Sequence, residues 1–142
     1  MNRDFKDRIK AMNAMYKLPI NEQPVLLEDT VSRLLKFKKT LAEEVEELDI
    51  IVEQIHNNEA DIEIKAAIAD LLGDVIVYCR SEATKYGIPL EEVLDIIMDS
   101  NESKLGADGQ PIYDENGKFL KGPNYWKPEP KIKALLENHS KK

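Results

Sequence analysis

The sequence predicts an all-α protein: a four-helix core bundle, then an irregular C-terminal loop that contains a small hairpin, and a short terminal helix. Apolar residues recur at helical spacing from about residue 3 to residue 104. Pro19 and Pro24 fall between the first two periodic segments, and Pro89 stands at the start of the fourth. After residue 104 the periodicity gives way to a stretch rich in Gly, Pro, Asn and Asp. We therefore expect one domain over residues 1–142, with a helical core at about 3–104 and a basic loop and tail at 105–142.

The first two helices are separated by a proline-containing connector. The first is expected from about Arg3 to Tyr16, and Pro19 and Pro24 then prevent its continuation. The second runs from about residue 28 to residue 56 and begins near Asp29 or Thr30. Both helices carry one apolar face at a spacing of three or four residues. The inward residues are predicted to be Phe5, Ile9, Met12 and Tyr16 in the first helix, and Leu34, Leu41, Val45, Leu48, Val52 and Ile55 in the second.

The third helix is the most apolar part of the chain. It is expected over residues 61–86, and its middle, residues 68–79, is apolar on nearly every side. We therefore expect it to be central and buried. Gly87 is a typical stop after a helix, and Pro89 suits the first position of the next one. The fourth helix then runs over about 89–102, and its inward residues are predicted to be Leu90, Val93, Leu94, Ile97 and Met98.

The C-terminal part carries weaker signals. Short apolar segments at 112–113 and 118–120 flank a turn-forming segment at 114–117, which predicts a hairpin. A short terminal helix is expected over 131–138. Tyr125 and Trp126 have two possible roles. Either they close over a ligand, or they hold the tail against the bundle, which is the more common role of such aromatic residues.

The charge of the chain excludes some functions and favours others. The net charge of −7 argues against a nonspecific nucleic-acid binder. Residues 104–142 carry a net charge of +3 and residues 1–103 one of −10. This distribution suits an anionic ligand that is bound together with a metal ion. The alternative is that the basic segment 104–142 and the acidic segment 1–103 attract each other within the chain. The single cysteine, Cys79, and the lack of a signal peptide or membrane span predict a cytoplasmic protein without a membrane partner.

An acidic cluster lies on the second helix. At about 100° per residue, Glu43, Glu44 and Glu47 fall on one flank of its apolar stripe. Like charges at i,i+4 destabilise a helix by roughly a few tenths of a kcal/mol, and carboxylates beside a core also lose hydration. A hard cation such as Mg²⁺ would offset both costs. The alternative is an ordinary Glu-rich helix.

Two aspartates interrupt the apolar third helix. Asp70 and Asp74 lie on one flank of its apolar face, and Gly73 between them permits close approach of a neighbour. A metal ion shared with the glutamates is the simplest partner, and a salt bridge to Arg80 or Lys65 is the structural alternative. A di-iron bundle requires two Glu-x-x-His pairs. The two histidines of the sequence do not form them.

Three segments carry a family resemblance. Residues 41–48, Leu-Ala-Glu-Glu-Val-Glu-Glu-Leu, resemble the EExxE motif of the all-α nucleoside triphosphate pyrophosphohydrolases, the MazG-like and phosphoribosyl-ATP pyrophosphohydrolase-like proteins. Residues 70–76 resemble the segment with the family's ExxD motif, and residues 101–104, Asn-Glu-Ser-Lys, are similar to its Asn-x-x-Lys. The resemblance covers residues 31–128.

The resemblance implies Mg²⁺-dependent hydrolysis of a nucleotide between its α- and β-phosphates, with Mn²⁺ as a possible substitute, in a homodimer or dimer of dimers. The metal ligands, or residues that orient the attacking water, would be Glu43, Glu44, Glu47 and Asp74, with Asp70 as a further ligand. Asn101 and Lys104 would contact phosphate or sugar. From the charge of the loop we add Lys118 and Lys121 as candidate substrate contacts. Tyr125 is added because the segment 121–126 is a candidate to close over a ligand.

The chain departs from the family pattern at ExxD. If Asp74 is the Asp of this motif, Leu71 stands where Glu is expected, and if Asp70 is that Asp, the position is Ala67. Asp70 is then a candidate replacement, and the number of metal ions stays open. A noncatalytic helical module that binds a nucleotide or a protein through a degenerate site is the alternative function.

Overall fold

The computed structural model describes residues 4–140 and confirms the all-α prediction. Within these residues the elements are α1 (Phe5–Met15), α2 (Thr30–His56), α3 (Asp61–Lys85), α4 (Leu90–Glu102), β1 (Ile112–Tyr113), β2 (Phe119–Leu120) and α5 (Glu129–Ser140). The chain divides between Ile88 and Pro89 into two compact units, unit 1 and unit 2. The expected helix start at Arg3 and the tail lysines Lys141 and Lys142 lie outside the described residues. No described helix is long and apolar enough to cross a membrane.

In unit 1, helix α1 packs on α3 through a buried polar pair. The Asp4 carboxylate caps α1 by accepting from the backbone N–H of Lys6 at 2.9 Å. Asn13 is 0% exposed. Its amide nitrogen donates to the carbonyl oxygens of Pro19 and Ser81, both at 3.2 Å, and its oxygen accepts from the Ser81 hydroxyl at 2.7 Å. Phe5 and Tyr16, predicted to face inward, are instead exposed, because α1 turns Asn13 toward α3.

The connector between α1 and α2 caps the end of α3. The backbone N–H of Asn21 donates to Thr84 at 3.0 Å, and its side-chain amide donates to Lys85 at 2.7 Å. These bonds satisfy carbonyl groups that a helix end leaves free. Gly87 follows with φ +65°, and a Cβ there would lie 2.1 Å from the carbonyl oxygen of Gln23. The predicted glycine stop is therefore confirmed, and close packing is a second reason for it.

Helices α2 and α3 pack against each other across the short turn at 57–60. The least exposed face of α2 is not the predicted stripe: it is rotated by about 70° around the helix axis. Glu44 and Ile51 are the buried residues of α2, whereas most of the predicted stripe is exposed in the single chain. The predicted inward residues of α2 that are exposed are Leu34, Val45, Leu48, Val52 and Ile55. Further exposed apolar residues are Val31, Leu35 and Ile50 in α2, and Ile62, Ile68, Leu72 and Ile76 in α3.

The expectation that α3 is buried on nearly every side is therefore wrong for the single chain. Leu71 is buried, and every residue in the C-terminal part of α3, 77–85, is buried or half-buried, but most residues before position 77 are exposed. Both long helices carry apolar residues on more than one face. Periodicity alone does not distinguish the face that meets the chain's own helices from a face left exposed.

In unit 2, helices α4 and α5 pack against each other. His139 Nε2 lies 3.1 Å from Glu92 Oε2, which joins the two helices. Val93 is buried as predicted, whereas Leu94 and Met98 are exposed. The predicted hairpin is confirmed: β1 and β2 are antiparallel, and the rings of Tyr113 and Phe119 meet edge to face at 5.6 Å.

Candidate functional site

The candidate site of unit 1 lies where α2 and α3 face each other, and Glu44 is its central residue. Glu44 is only 8% exposed. Its Oε2 atom is buried and has no hydrogen-bond partner among the described residues. A buried, unpaired carboxylate oxygen is costly, so such groups in folded proteins call for a physical explanation. Here the surrounding residues make that cost larger.

The neighbours of Glu44 are mostly acidic. Its pKa is raised, first by burial, then by the carboxylates of Glu47 and Asp74 and more weakly by Asp70, while the Tyr78 hydroxyl opposes the shift. The pKa of Tyr78 is raised as well, by its own burial and by Glu44 and Asp74. The arrangement therefore concentrates negative charge around the buried Glu44 carboxylate, although Glu47 and Asp70 are themselves exposed. A cation would be stabilised there.

Four of the five predicted carboxylates of unit 1 influence this one place: Glu44, Glu47, Asp70 and Asp74. Glu43 is exposed, and one residue from Glu44 corresponds to about 100° around the helix axis. Of the two predicted salt-bridge partners of the aspartates, Lys65 forms no ion pair with Asp70 or Asp74 among the described residues, and the Arg80 alternative stays a prediction.

The donor set fits Mg²⁺ in its chemistry, because it consists of carboxylate oxygens and includes an unpaired one. Among residues 4–140, however, no group of three or more His, Cys, Asp or Glu side chains is arranged to hold a metal ion. Mg²⁺ is often held by only one or two carboxylates, and waters and substrate phosphates complete its shell. The site is therefore a convergence of acidic charge without a preformed chelate.

The predicted substrate-binding residues lie in unit 2. Asn101 is in the last turn of α4, and Lys104 follows the helix end. Lys104 forms no ion pair with a described residue of its own unit. The backbone N–H of Lys118 donates to Asp114 Oδ1 at 2.8 Å and so fixes the hairpin turn. The ammonium group of Lys121 lies 5.0 Å from the centre of the Tyr125 ring, so these two candidates contact each other.

Two contacts of the candidate residues were not predicted from the sequence. Tyr78 approaches Glu44, and its position one helical turn after Asp74 placed it on the same face of α3. The second contact is the attachment of Trp126 to α4: Ser100 Oγ donates to the Trp126 carbonyl at 2.9 Å. Within unit 2, the interpretation that Trp126 holds the tail is therefore confirmed.

Comparisons with known proteins found a matching family and a similar fold. The model of the MazG nucleotide pyrophosphohydrolase domain matches residues 33–104, half of the chain. The crystal structure of a provisionally named NTP pyrophosphohydrolase from Exiguobacterium sp. 255-15 has a similar fold, with a TM-score of 0.50 and 20% identity over 99% of this chain and 98% of that one. No curated protein matches the chain.

Proposed function

The chain belongs to the MazG nucleotide pyrophosphohydrolase family, and we propose that it hydrolyses a nucleoside triphosphate between the α- and β-phosphates with Mg²⁺ as its cofactor. The products are a nucleoside monophosphate and pyrophosphate, and Mn²⁺ can replace Mg²⁺. The observation that carries the proposal is the buried, unpaired Oε2 atom of Glu44 among three further carboxylates. A divalent cation would stabilise that combination, because it prefers oxygen ligands and offsets their negative charge.

The residues of unit 1 divide the chemical work. Glu44 and Asp74 would hold the cation, with Asp70 as a further ligand. When bound, the cation activates water and offsets negative charge on the phosphates. Glu47, and Glu43 at the rim, orient the attacking water and accept its proton. Tyr78 is placed to hold the Glu44 carboxylate in one orientation.

The residues of unit 2 bind the substrate in this proposal. Asn101 and Lys104 contact phosphate or sugar, as the family resemblance implies. Lys118, Lys121 and Tyr125 are further candidate contacts. Lysine suits phosphate because its ammonium group is a compact charge with three donors on a flexible stem. The contact between Lys121 and Tyr125 keeps one of these charges beside an aromatic ring, on which a base can also stack.

A panel of nucleoside triphosphates tests the proposal. Pyrophosphate release is measured with each nucleotide in Mg²⁺, in Mn²⁺ and in excess chelator. We expect release from at least one nucleotide with either metal ion and none in chelator. Release that continues unchanged in excess chelator would contradict the metal site. Nucleotide binding without any release would favour the noncatalytic alternative.

We further propose that the protein is a homodimer or a dimer of dimers. Leu48 on α2 and Ile76 on α3 are 46% and 52% exposed, and both helices carry further exposed apolar residues. Surfaces of this kind are commonly covered by a second subunit. Light scattering at micromolar concentration is expected to give at least twice the 16.2 kDa chain mass, and a monomer would contradict this. Neither a nucleic acid nor a membrane is proposed as a partner, and the cytoplasmic location stays a prediction.

A further inference from the structure

The C-terminal end of α4 is tied to a segment that lies about twenty residues further along the chain. The Ser100 hydroxyl donates to the carbonyl oxygen of Trp126 at 2.9 Å, and the backbone N–H of Trp126 donates to the Ser103 hydroxyl at 3.2 Å. The backbone N–H of Gly122 donates to the carbonyl oxygen of Lys104 at 2.7 Å. We call these four residues, Ser100, Ser103, Gly122 and Trp126, the α4 clamp.

The structure leaves almost no room for substitutions at two of the clamp residues, Ser100 and Gly122. Ser100 is 2% exposed, so its hydroxyl has no access to water as a replacement partner. At Gly122 an added Cβ would lie 2.1 Å from the carbonyl oxygen of Leu105 and 2.7 Å from that of Lys104. Both atoms belong to the backbone, so they move only if the end of α4 moves. Gly122 is thus required by close approach.

The clamp encloses the two predicted phosphate contacts of unit 2. Asn101 follows Ser100 directly, and Lys104 accepts the Gly122 bond through its own carbonyl group. The carbonyl groups in the last turn of α4 accept local bonds from the backbone N–H groups that follow the helix, but helix ends fray all the same. The clamp adds bonds from a distant segment, which limit the motion of Asn101 and Lys104.

We propose that Ser100 and Gly122 are positioning residues that hold Asn101 and Lys104 in place for binding a polyphosphate. The inference rests on the proposed function for the identity of the ligand. The clamp touches no ligand itself. It lowers the entropy that the helix end loses when a polyphosphate binds, which is the usual benefit of a preorganised site.

Inorganic tripolyphosphate is the probe, with its Kd measured by calorimetry on the full chain. Ser100→Ala removes one bond and Gly122→Ala introduces the backbone clash. We expect each to weaken binding by about tenfold. Gly109→Ala is the matched control. Gly109 lies in the same loop, has φ +78° and has nothing within 4 Å of an added Cβ. We expect it to leave Kd within about twofold of wild type.

A double-variant cycle separates positioning from general stability. If Ser100 acts through Lys104, most of its effect is lost once Lys104→Met is present, and Ser100→Ala then changes Kd by about twofold or less. Trp126 is the single tryptophan, so its fluorescence reports in each variant whether the clamp has opened. Thermal unfolding confirms that each variant is folded at the temperature of the titration.

Three results would overturn the proposal: a full loss from Ser100→Ala in the Lys104→Met background, a lower melting temperature with an unchanged Kd, or no binding of tripolyphosphate to the wild type. The proposed hydrolysis is judged separately, by pyrophosphate release from nucleotides. If tripolyphosphate binding depends on Ser100 and Gly122 as expected but no nucleotide releases pyrophosphate, the positioning proposal stands and the catalytic proposal fails.

Discussion

Asn13 and Glu44 are both polar, both buried in unit 1, and both face α3, yet their surroundings are opposite. Asn13 has a protein partner for its oxygen and for its amide nitrogen. Glu44 has a buried oxygen without a partner and acidic neighbours that raise its pKa. Burial alone therefore does not separate a structural residue from a functional one. The difference lies in whether the protein itself supplies the partners, and Glu44 requires one from outside.

The largest effect is expected from Glu44→Gln, which removes the charge at nearly constant shape. If Glu44 holds the catalytic cation, kcat for pyrophosphate release falls by at least about 100-fold. Folding is retained or slightly firmer, because repulsion from Glu47 and Asp74 is relieved. Glu46→Gln is the matched control, since Glu46 is an exposed glutamate of the same helix. If Glu44→Gln and Glu46→Gln release pyrophosphate at equal rates, Glu44 is not part of the catalytic site.

Asn13→Ala should do the reverse and affect the free energy of unfolding instead of activity. It leaves the buried Ser81 hydroxyl without its partner, which costs about 1–3 kcal/mol. Urea unfolding measures this loss, and kcat/KM at a temperature where the variant is folded should stay within about twofold of wild type. In a cycle with Ser81→Ala, the double variant should lose less than the two single losses together. A large fall in kcat/KM in a fully folded Asn13→Ala protein would show that Asn13 also contributes to activity, which contradicts its purely structural role.

A smaller effect is expected in the pH dependence of stability without metal. Glu44 has a raised pKa in the folded protein, and an ordinary pKa, about 4.5, when unfolded. The folded state therefore binds more protons, so its stability falls as the pH rises from the unfolded pKa through the raised one. Unfolding in chelator should show this decline in the wild type and a flatter profile in Glu44→Gln. If the stability of the wild type and of Glu44→Gln changes with pH in the same way, Glu44 is not the source of the decline.

The order and ends of the helices could be predicted because their signals are local. Prolines, a glycine stop and helical periodicity fixed α1 to α4 within about two residues. The faces could not be predicted as well. On α2 the apolar residues extend around the helix. Most of the residues predicted to face inward are exposed, and the buried residues lie on another face.

The candidate site was predictable in its chemistry and less so in its details. The acidic residues were visible in the sequence, but a rotation of one residue separates buried Glu44 from exposed Glu43. Asn13 gave no signal, because a polar residue on a helix is normally exposed. Gly122 lay in an irregular segment, where close approach to the backbone at Lys104 depends on the folded loop.

We propose that the Oε2 atom of Glu44 is buried without a partner among the described residues because a divalent cation binds there. Mn²⁺ binding tests this proposal, and it is followed by the loss of the paramagnetic signal of free Mn²⁺ and by displacement with Mg²⁺. The wild type and Asn13→Ala should bind Mn²⁺ equally, and Mg²⁺ should displace it. Glu44→Gln should bind at least about tenfold more weakly. Equal Mn²⁺ affinity in Glu44→Gln and the wild type would contradict the account.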